Sequence, residues 1–358
     1  MTLSVATPAA APWRQCHAST IIEGAEGDLL LAFFAGTREG TDDNAIYLVR
    51  GLTRYRDAAD PVAGVATDSW SWSEPARLTD VGDAHWNPVL ARSPLGTLTL
   101  FFKRGRPISQ WQTWRMTSQD DGHTWSPADE LVPGDRGGRG PVRNLPLVLS
   151  SGRWIAGAST EAGGSGGVTS VWDCFADFSD DDGVTWTRSE NIPIDHSAIP
   201  GPGVIQPSLW TGPEGLVFLM RSSTGRAWRA VSTDEAVTWS PAEETQLPNN
   251  NSGLCATRLS DGRVVCAHNT SEIPWGPRNE LALSVSTDEG RTWKRTLTLD
   301  ALPSPTSTIT PDDAGVDTDG ESELSYPTLI AGPGFLVVSY TRERREIAVA
   351  SIALSSLG

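Results

Sequence analysis

Short apolar runs broken by glycine-containing turns recur along the whole chain. Clear examples are residues 28–34 (DLLLAFF), 96–102 (GTLTLFF), 215–220 (GLVFLM) and 334–340 (GFLVVSY). These runs have strand length and are enriched in β-branched and aromatic residues, as strands are. No stretch longer than about ten residues keeps the 3.6-residue period of an amphipathic helix. The pattern therefore predicts a nearly all-β chain of many short strands.

A second pattern is laid over the first. Residues 118–125 (SQDDGHTW), 179–186 (SDDDGVTW) and 286–293 (STDEGRTW) share the form S-x-D-x-G-x-T-W. Residues 232–239 (STDEAVTW) repeat it with Ala236 in place of the glycine. Asp with polar neighbours favours a side-chain-to-backbone turn, and glycine takes a positive φ there without penalty. These corners are read as structural, on the rim. The closing tryptophans are 61, 53 and 54 residues apart, and a step of 53 back from Trp125 reaches Trp72, an eroded fifth corner.

Repeats of this length suit four-stranded propeller blades with generous loops. Five corners mark five blades, and residues 321–354 supply a sixth. The expectation is one domain over residues 1–358, a six-bladed β-propeller of four-stranded antiparallel blades. The N-terminal strand near residues 3–6 closes the ring and removes an open edge. Residues 302–320, rich in Pro, Ser, Thr and Asp, are expected to form a long loop. Ligand chemistry in such a fold gathers at one end of the axis.

The chain has 358 residues, 15 of them Trp, and a formal charge of −16. That charge argues against nucleic acid or an anionic membrane as partner, while leaving room for a local basic pocket. Cys16, Cys174, Cys255 and Cys266 form no C-x-x-C pair, so no zinc or redox motif is indicated. Cys255 and Cys266 could pair across a hairpin, but buried free thiols are the simpler expectation. The first residues have neither a basic start nor an apolar core, and no run approaches a membrane span. A cytoplasmic protein without cofactor or metal is expected, with oligomeric state left open.

Further motifs extend from residue 16 onward. They are residues 16–21 (CHASTI), 34–40 (FAGTREG), 85–88 (HWNP), 102–103 (FK), 140–144 (GPVRN), 159–161 (STE), 205–207 (IQP), 249–253 (NNNSG) and 325–327 (SYP). With the corners, known as Asp boxes, they make the chain resemble the sialidase (neuraminidase) superfamily, in its branch of BNR-repeat sialidase-like proteins. The resemblance implies a glycosidase acting on a terminal acidic sugar. It places Arg221 and Arg278 as clamps on the sugar carboxylate and Tyr326 as nucleophile. Arg38 matches an additional first-blade arginine, and Asp42 or Asp43, of which Asp43 is the first choice, falls near the acid/base loop. Two positions depart from the pattern. Cys16-His17-Ala18 stands where a first-strand arginine is expected, and Gln206 stands where a glutamate should serve the tyrosine. Glutamine cannot take a phenol's proton, so Glu161 from the neighbouring blade, or His17, becomes the candidate proton partner.

The chemistry of these side chains agrees with an anionic ligand. A guanidinium fork makes two parallel charge-assisted hydrogen bonds to a carboxylate. Arg221 and Arg278 lie 57 residues apart, about one blade, so both can reach the axis. His17 can act as acid or base near neutrality. His85, Trp86 and Asn87 offer a ring face and polar groups to a sugar. Asn251 lies in a very polar stretch before a strand, and Lys103, Arg143 and Asn144 would enlarge a basic pocket, with Gln206 beside them. The expected partner is an acidic sugar or glycan. Two other readings fit the same departures: a lyase that eliminates across a uronate with His17 or Tyr326 as base, and an acidic-glycan-binding propeller without catalysis.

Overall fold

The computed structural model describes residues 1–52, 70–162, 170–305, 310–312 and 315–358. It is a six-bladed β-propeller, each blade an antiparallel sheet. Blade one contains Gln15–Glu23, Leu29–Gly36 and Ala45–Leu52, with Ser71–Trp72 and Ala76–Arg77 both paired to Ala45–Leu52 on the outside. Blade two is His85–Arg92, Leu98–Arg104, Gln112–Ser118 and Asp129–Glu130. Blade three is Leu147–Val148, Trp154–Ala162, Val171–Ser179 and Thr187–Arg188. Val204–Gly212, Gly215–Ser222, Gly225–Ser232 and Glu243–Asn249 form blade four. Blade five is Cys255–Arg258, Val264–Asn269, Glu280–Ser286 and Lys294–Ala301. Blade six takes Leu324–Gly332, Phe335–Arg342 and Glu346–Ala353, and its outer strand is Thr2–Val5 from the other end of the chain. The N-terminal closure expected from the sequence is therefore present.

Burial follows position within a blade. The second strand of blade one, Leu29–Gly36, is buried at every position, because both its faces pack against neighbouring blades. Such strands read as continuous apolar runs. Outer strands have one wet face, so Gln112–Ser118 alternates instead. All four cysteines are free and buried. Among the described residues, no helix is long and apolar enough to cross a membrane.

Each Asp box is a closed circuit of hydrogen bonds. In the first, Ser118 Oγ donates to Asp120 Oδ1 at 2.8 Å and accepts from Gly122 N at 2.8 Å. Asp120 accepts from the Thr124 amide and hydroxyl at 2.8 and 2.6 Å. Trp125 Nε1 donates to Gly122 O at 3.1 Å. The boxes ending at Trp186 and Trp293 repeat the whole circuit. Trp72 belongs to the same family of corners. Ser73 after it exchanges two bonds with Arg50 of the adjacent strand, as Ser126 does with Thr117 after Trp125.

One expectation is corrected. Within residues 302–320, expected to be loop throughout, Thr310–Asp312 pairs antiparallel with Gly315–Asp317 as a small two-stranded sheet. Pairing there uses backbone groups alone, so a composition poor in strand formers concealed it.

Candidate active site at the propeller axis

The axial side chains are delivered by a shared backbone device. In four inner strands the pairing slips by one residue at the same level: between His17 and Thr20, Trp86 and Val89, Ile205 and Ser208, and Ser325 and Thr328. Each slip contains a non-glycine residue in the left-handed region: Ala18 at φ 54°, Asn87 at 41°, Gln206 at 54° and Tyr326 at 52°. Asn251, just before the blade-five inner strand, has φ 62°. Such a conformation costs about 1–3 kcal/mol and concentrates at functional sites. A bulge re-aims the side chain it carries. Pro88, Pro207 and Pro327 follow three of these residues, and proline has no N–H to leave unpaired where the ladder breaks.

The centre is built on Arg221, at the end of a blade-four strand. Its Nη1 donates to the Tyr326 hydroxyl at 2.7 Å and to Gln206 Oε1 at 3.0 Å, and its Nε donates to Asn251 Oδ1 at 2.8 Å. Gln206 Nε2 also reaches the Tyr326 hydroxyl, at 3.4 Å. The phenol oxygen thus accepts from two donors on one side, which leaves its own proton for another partner. Arg278 stands alongside, with Nη1 3.2 Å from Glu323 Oε1 and Nη2 donating to Asn251 O at 3.1 Å. The indole of Trp275 lies 5.9 Å from both guanidinium carbons. Trp172 flanks Arg221 from blade three at 6.0 Å.

The polar run before blade five holds this arrangement together. Asn249 accepts from Ser222 N beside Arg221 at 3.0 Å. Asn250 donates to Gly276 O and Pro277 O at 3.3 and 2.7 Å, pinning the loop that carries Arg278. Asn251 then bridges the two arginines.

A second ionic layer lies next to it. Glu323 sits between Arg278 and Arg344, accepting from Arg344 Nε at 2.9 Å and from Ser325 Oγ at 2.6 Å. Arg344 also pairs with Glu39 of blade one. Burial alone would raise the Glu323 carboxyl, but Arg344 and Arg278 outweigh it and bring the group down to about 2. Burial works against the Arg344 guanidinium too, and the two carboxylates still raise it above its ordinary value.

His17 stacks obliquely on Tyr326, with ring centroids 4.3 Å apart. Its Nδ1 is 2.9 Å from Thr341 Oγ1, and its buried Nε2 has no partner among the described residues. Burial, reinforced by Arg344, Arg278, Arg143 and Arg221, holds it well below the usual histidine range, so the ring is neutral.

The remaining sequence candidates divide by what they touch. Glu161 is half-buried at the end of a blade-three strand, and its carboxyl has no hydrogen-bond partner among the described residues. Burial pushes it up to about 7 against the pull of Arg221, and the charge on Glu39 adds to the rise. Asp43 turns its carboxylate onto its own loop. Thr37 donates to it from N at 2.8 Å and from Oγ1 at 2.6 Å, and Thr41 from its hydroxyl. Burial, the largest single influence, raises Asp43, but these bonds together outweigh it and lower the group overall. Asp42 pairs with Arg106 at 3.2 Å. Arg38 is half-buried in the same loop, where its backbone N and O both bond Thr41 Oγ1.

Arg143 lies beneath the Tyr326 ring, 5.1 Å from its centroid, and is directed at the scaffold. It donates to Ser19 O, Pro327 O and Thr328 Oγ1 at 3.1, 3.1 and 2.9 Å, and to Tyr326 O. Asn144 likewise donates to Gln206 O and Pro207 O, each at 3.2 Å. Lys103 holds Thr113 Oγ1, Gly138 O and Arg139 O at 2.7, 3.3 and 2.7 Å, away from the arginines, and burial lowers it to about 7. His85 bonds Asn44 O at 3.0 Å and Trp86 bonds Gly105 O at 3.1 Å, both buried. Asn87 is buried at its bulge.

The structure therefore brings together Arg221, Arg278, Tyr326, Gln206, Asn251 and His17, with Glu161 close enough to feel Arg221. It turns Asp43, Lys103, Arg143 and Asn144 toward the scaffold. Sequence reasoning missed Glu323, Arg344, Glu39, Trp172 and Trp275. The one available signal was Trp275 lying three residues before Arg278, outside any Asp box. Four guanidinium groups near the axis (Arg143, Arg221, Arg278 and Arg344) stand with two ion-paired carboxylates, Glu39 and Glu323. Among the described residues, Arg143 and Arg221 have no carboxylate in an ion pair with them, in a chain of net charge −16. Among the described residues, no group of three His, Cys, Asp or Glu side chains is placed to hold a metal ion.

Six blades around an arginine–tyrosine centre make this a six-bladed β-propeller with a polar axial site. The chain belongs to the family of the BNR repeat-like domain, whose model matches residues 27–338. No curated protein matches it. Solved structures share the fold at low identity. A protein of unknown function from Dyadobacter fermentans DSM 18053 has TM-score 0.68 and 16% identity, covering 98% of this chain and 97% of that one. The NanB sialidase of Streptococcus pneumoniae has TM-score 0.68 and 12% identity, covering 99% and 71%. The α-L-arabinanase of Penicillium chrysogenum, in complex with arabinobiose, has TM-score 0.66 and 15% identity, covering 100% and 99%.

Proposed function

We propose that the protein is a glycosidase that releases a terminal acidic sugar, by a route other than the tyrosine–glutamate pair of a standard sialidase. The observation that carries this is the Arg221–Tyr326 contact of 2.7 Å, with Arg278 anchored beside it in a net-positive axis. The sugar carboxylate binds Arg221 and Arg278. The Tyr326 oxygen faces the anomeric carbon and, keeping its own proton, stabilises through a lone pair the positive charge that develops there. Glu161 gives its proton to the leaving oxygen as the glycosidic C–O bond breaks, and water then completes the hydrolysis. A carboxyl near 7 suits that role. Asp43, tied to Thr37 and Thr41, suits it less.

The family likeness, and the sialidase and arabinanase among the structural neighbours, support a sugar ligand. One observation favours elimination from a uronate instead. His17 is neutral and its Nε2 is unpartnered, so it could take a proton α to a clamped carboxylate.

The test is a panel of N-acetylneuraminides, 2-keto-3-deoxynonulosonides and glucuronides, assayed for released sugar and for near-ultraviolet absorbance. Free acidic sugar without new absorbance supports hydrolysis. Absorbance from the glucuronides supports elimination. Binding without any product leaves a lectin and overturns the enzymatic reading.

A further inference from the structure

Trp172 stands between two members of the axial site. It pairs in register with Glu161 on the adjacent strand, and its ring lies 6.0 Å from the Arg221 guanidinium carbon. Its side chain is buried. Whatever sets the place of Trp172 therefore acts on both residues.

Residues 195–203, on the crossing from blade three to blade four, run along the start of the Trp172 strand. Trp172 N donates to Pro202 O at 2.9 Å, and Trp172 forms a parallel bridge with Gly203. Gly203 has φ 133°, and a Cβ there would meet Trp172 O at 2.3 Å and His196 Cε1 at 2.9 Å, so glycine permits this close approach. The same segment is tied to the chain two residues beyond Arg221. Ser223 N donates to Gly203 O at 3.1 Å, and Ser223 Oγ accepts from Gly203 N at 3.1 Å. The segment is thus a strap joined to Trp172 on one side and to the end of the Arg221 strand on the other.

A side chain anchors the near end of the strap. His196 Nε2 lies 2.8 Å from Asp173 Oδ1, next to Trp172 on the same strand. A carboxylate accepts, so His196 donates from Nε2. A small turn presents the ring: Asp195 Oδ1 accepts from Ser197 N and Ser197 Oγ at 3.0 and 2.6 Å, and Ala198 N donates to Asp195 O at 3.0 Å. The His196 and Asp173 side chains are 31% and 21% exposed, so loss of either leaves its partner in reach of water.

We propose that His196 is a positioning residue for the axial site: its bond to Asp173 holds the strap against Trp172 and so fixes Trp172 beside Arg221 and Glu161. Its effect on turnover rests on the reading of the axis as an acidic-sugar site. The link from His196 to Arg221 is measurable without any sugar.

His196→Ala and Asp173→Ala each break the bond, and His196→Gln returns an amide N–H near the place of Nε2. The first measurement uses the ligand-free protein. The Arg221 Nε–H, which is buried on Asn251 Oδ1, is assigned by its loss in Arg221→Lys, and the Trp172 indole N–H by its loss in Trp172→Phe. Both resonances should move in His196→Ala and in Asp173→Ala, move no further in the double variant, and return toward wild type in His196→Gln. Unmoved resonances in His196→Ala overturn the proposal whatever the kinetics. Additive shifts in the double variant overturn it too, because the two residues then act separately.

Kinetics on 4-methylumbelliferyl glycosides of N-acetylneuraminate, 2-keto-3-deoxynonulosonate and glucuronate follow. His196→Ala should raise KM about three- to tenfold with kcat within about twofold of wild type, because Arg221 holds the carboxylate, and His196→Gln should recover most of the loss. Moved resonances with an unchanged KM would show a strap without influence on the site and overturn the positioning role. Moved resonances without turnover of any glycoside would retain the link and remove the glycosidase. Turnover with unmoved resonances would remove the link and retain the glycosidase.

Discussion

Arg221 reaches from blade four to blade six and donates to the Tyr326 hydroxyl at 2.7 Å. The tyrosine is in turn held at φ 52° on a bulge, over Arg143. Each residue therefore fixes the other, and neither is free to adjust alone. The left-handed backbone is tolerated because Arg143 binds the carbonyls of Tyr326 and Pro327 from below.

Arg221→Lys keeps the charge but cannot reach Tyr326, Gln206 and Asn251 at once, because an ammonium lacks the planar fork. The expected result is a fall in kcat/KM of about 10²–10³, with a loss of stability of about 1–3 kcal/mol from the buried partners left unpaired. Steady-state kinetics on the preferred acidic glycoside checks it. Tyr326→Phe should mainly lower kcat. If Tyr326→Phe leaves activity intact, Tyr326 has no part in the chemistry.

Glu161 predicts a pH profile. If its protonated form gives the proton, kcat/KM falls as pH rises through about 7. Glu161→Gln should lower kcat and remove that limb. Stability is linked to the same group. Folding raises its pKa from 4.5 to about 7, so between those values the folded protein holds a proton that the unfolded chain has released. This contribution is complete below 4.5 and is lost as pH rises through 7. Urea unfolding of wild type and Glu161→Gln at pH 5 and pH 8 checks the sign: the variant should gain on wild type at the higher pH.

Glu323 behaves in the opposite sense. Its folded pKa of about 2 lies below the unfolded 4.5, so its stabilisation is present above 4.5 and is lost as pH falls through 2. Glu323→Gln leaves Arg278 and Arg344 facing each other across a buried site. A loss of about 3–5 kcal/mol is expected at pH 7, with the gap to wild type narrowing at pH 3. Denaturant titrations at the two pH values decide it, and an equal gap at both would show that charge is not the cause.

The blade count and the closing strand were legible because they rest on periodic features: Asp-box turns, and apolar runs on strands buried on both faces. Arg221, Arg278 and Tyr326 were legible because each sits beside a motif. Glu323 and Arg344 were not, since isolated charged residues in loops carry no period, and Glu39, although inside the motif at 34–40, gains its role only when blades five, six and one meet at the axis. The same limit explains Lys103 and Arg143. Both are cations in apparent site motifs, yet their directions are set by the backbone carbonyls of neighbouring blades.

The box with Ala236 offers a stabilising substitution. In the intact boxes the tryptophan N–H bonds the glycine carbonyl, but Trp239 Nε1 is buried without a partner among the described residues. A Cβ built on Gly122, Gly183 or Gly290 would lie 3.4, 3.8 and 3.3 Å from the Cζ2 of its own box's tryptophan, and on Gly290 it would also meet Trp210 at 3.1 Å. At Ala236, φ 74°, a methyl stands where the other boxes have none. Ala236→Gly forfeits about 0.8 kcal/mol of methyl burial and about 0.5–1 kcal/mol of chain entropy. It relieves about 1–2 kcal/mol of left-handed strain and restores a hydrogen bond of about 1 kcal/mol. The balance favours glycine by roughly 1 kcal/mol. Gly290→Ala should fail in reverse, losing the Trp293 bond, and should cost more than Gly183→Ala, where the gap is widest. Paired melting curves, with the indole N–H of Trp239 followed by NMR, test both directions. A destabilised Ala236→Gly with its Trp239 N–H still exposed to exchange would show that the methyl's packing outweighs the turn.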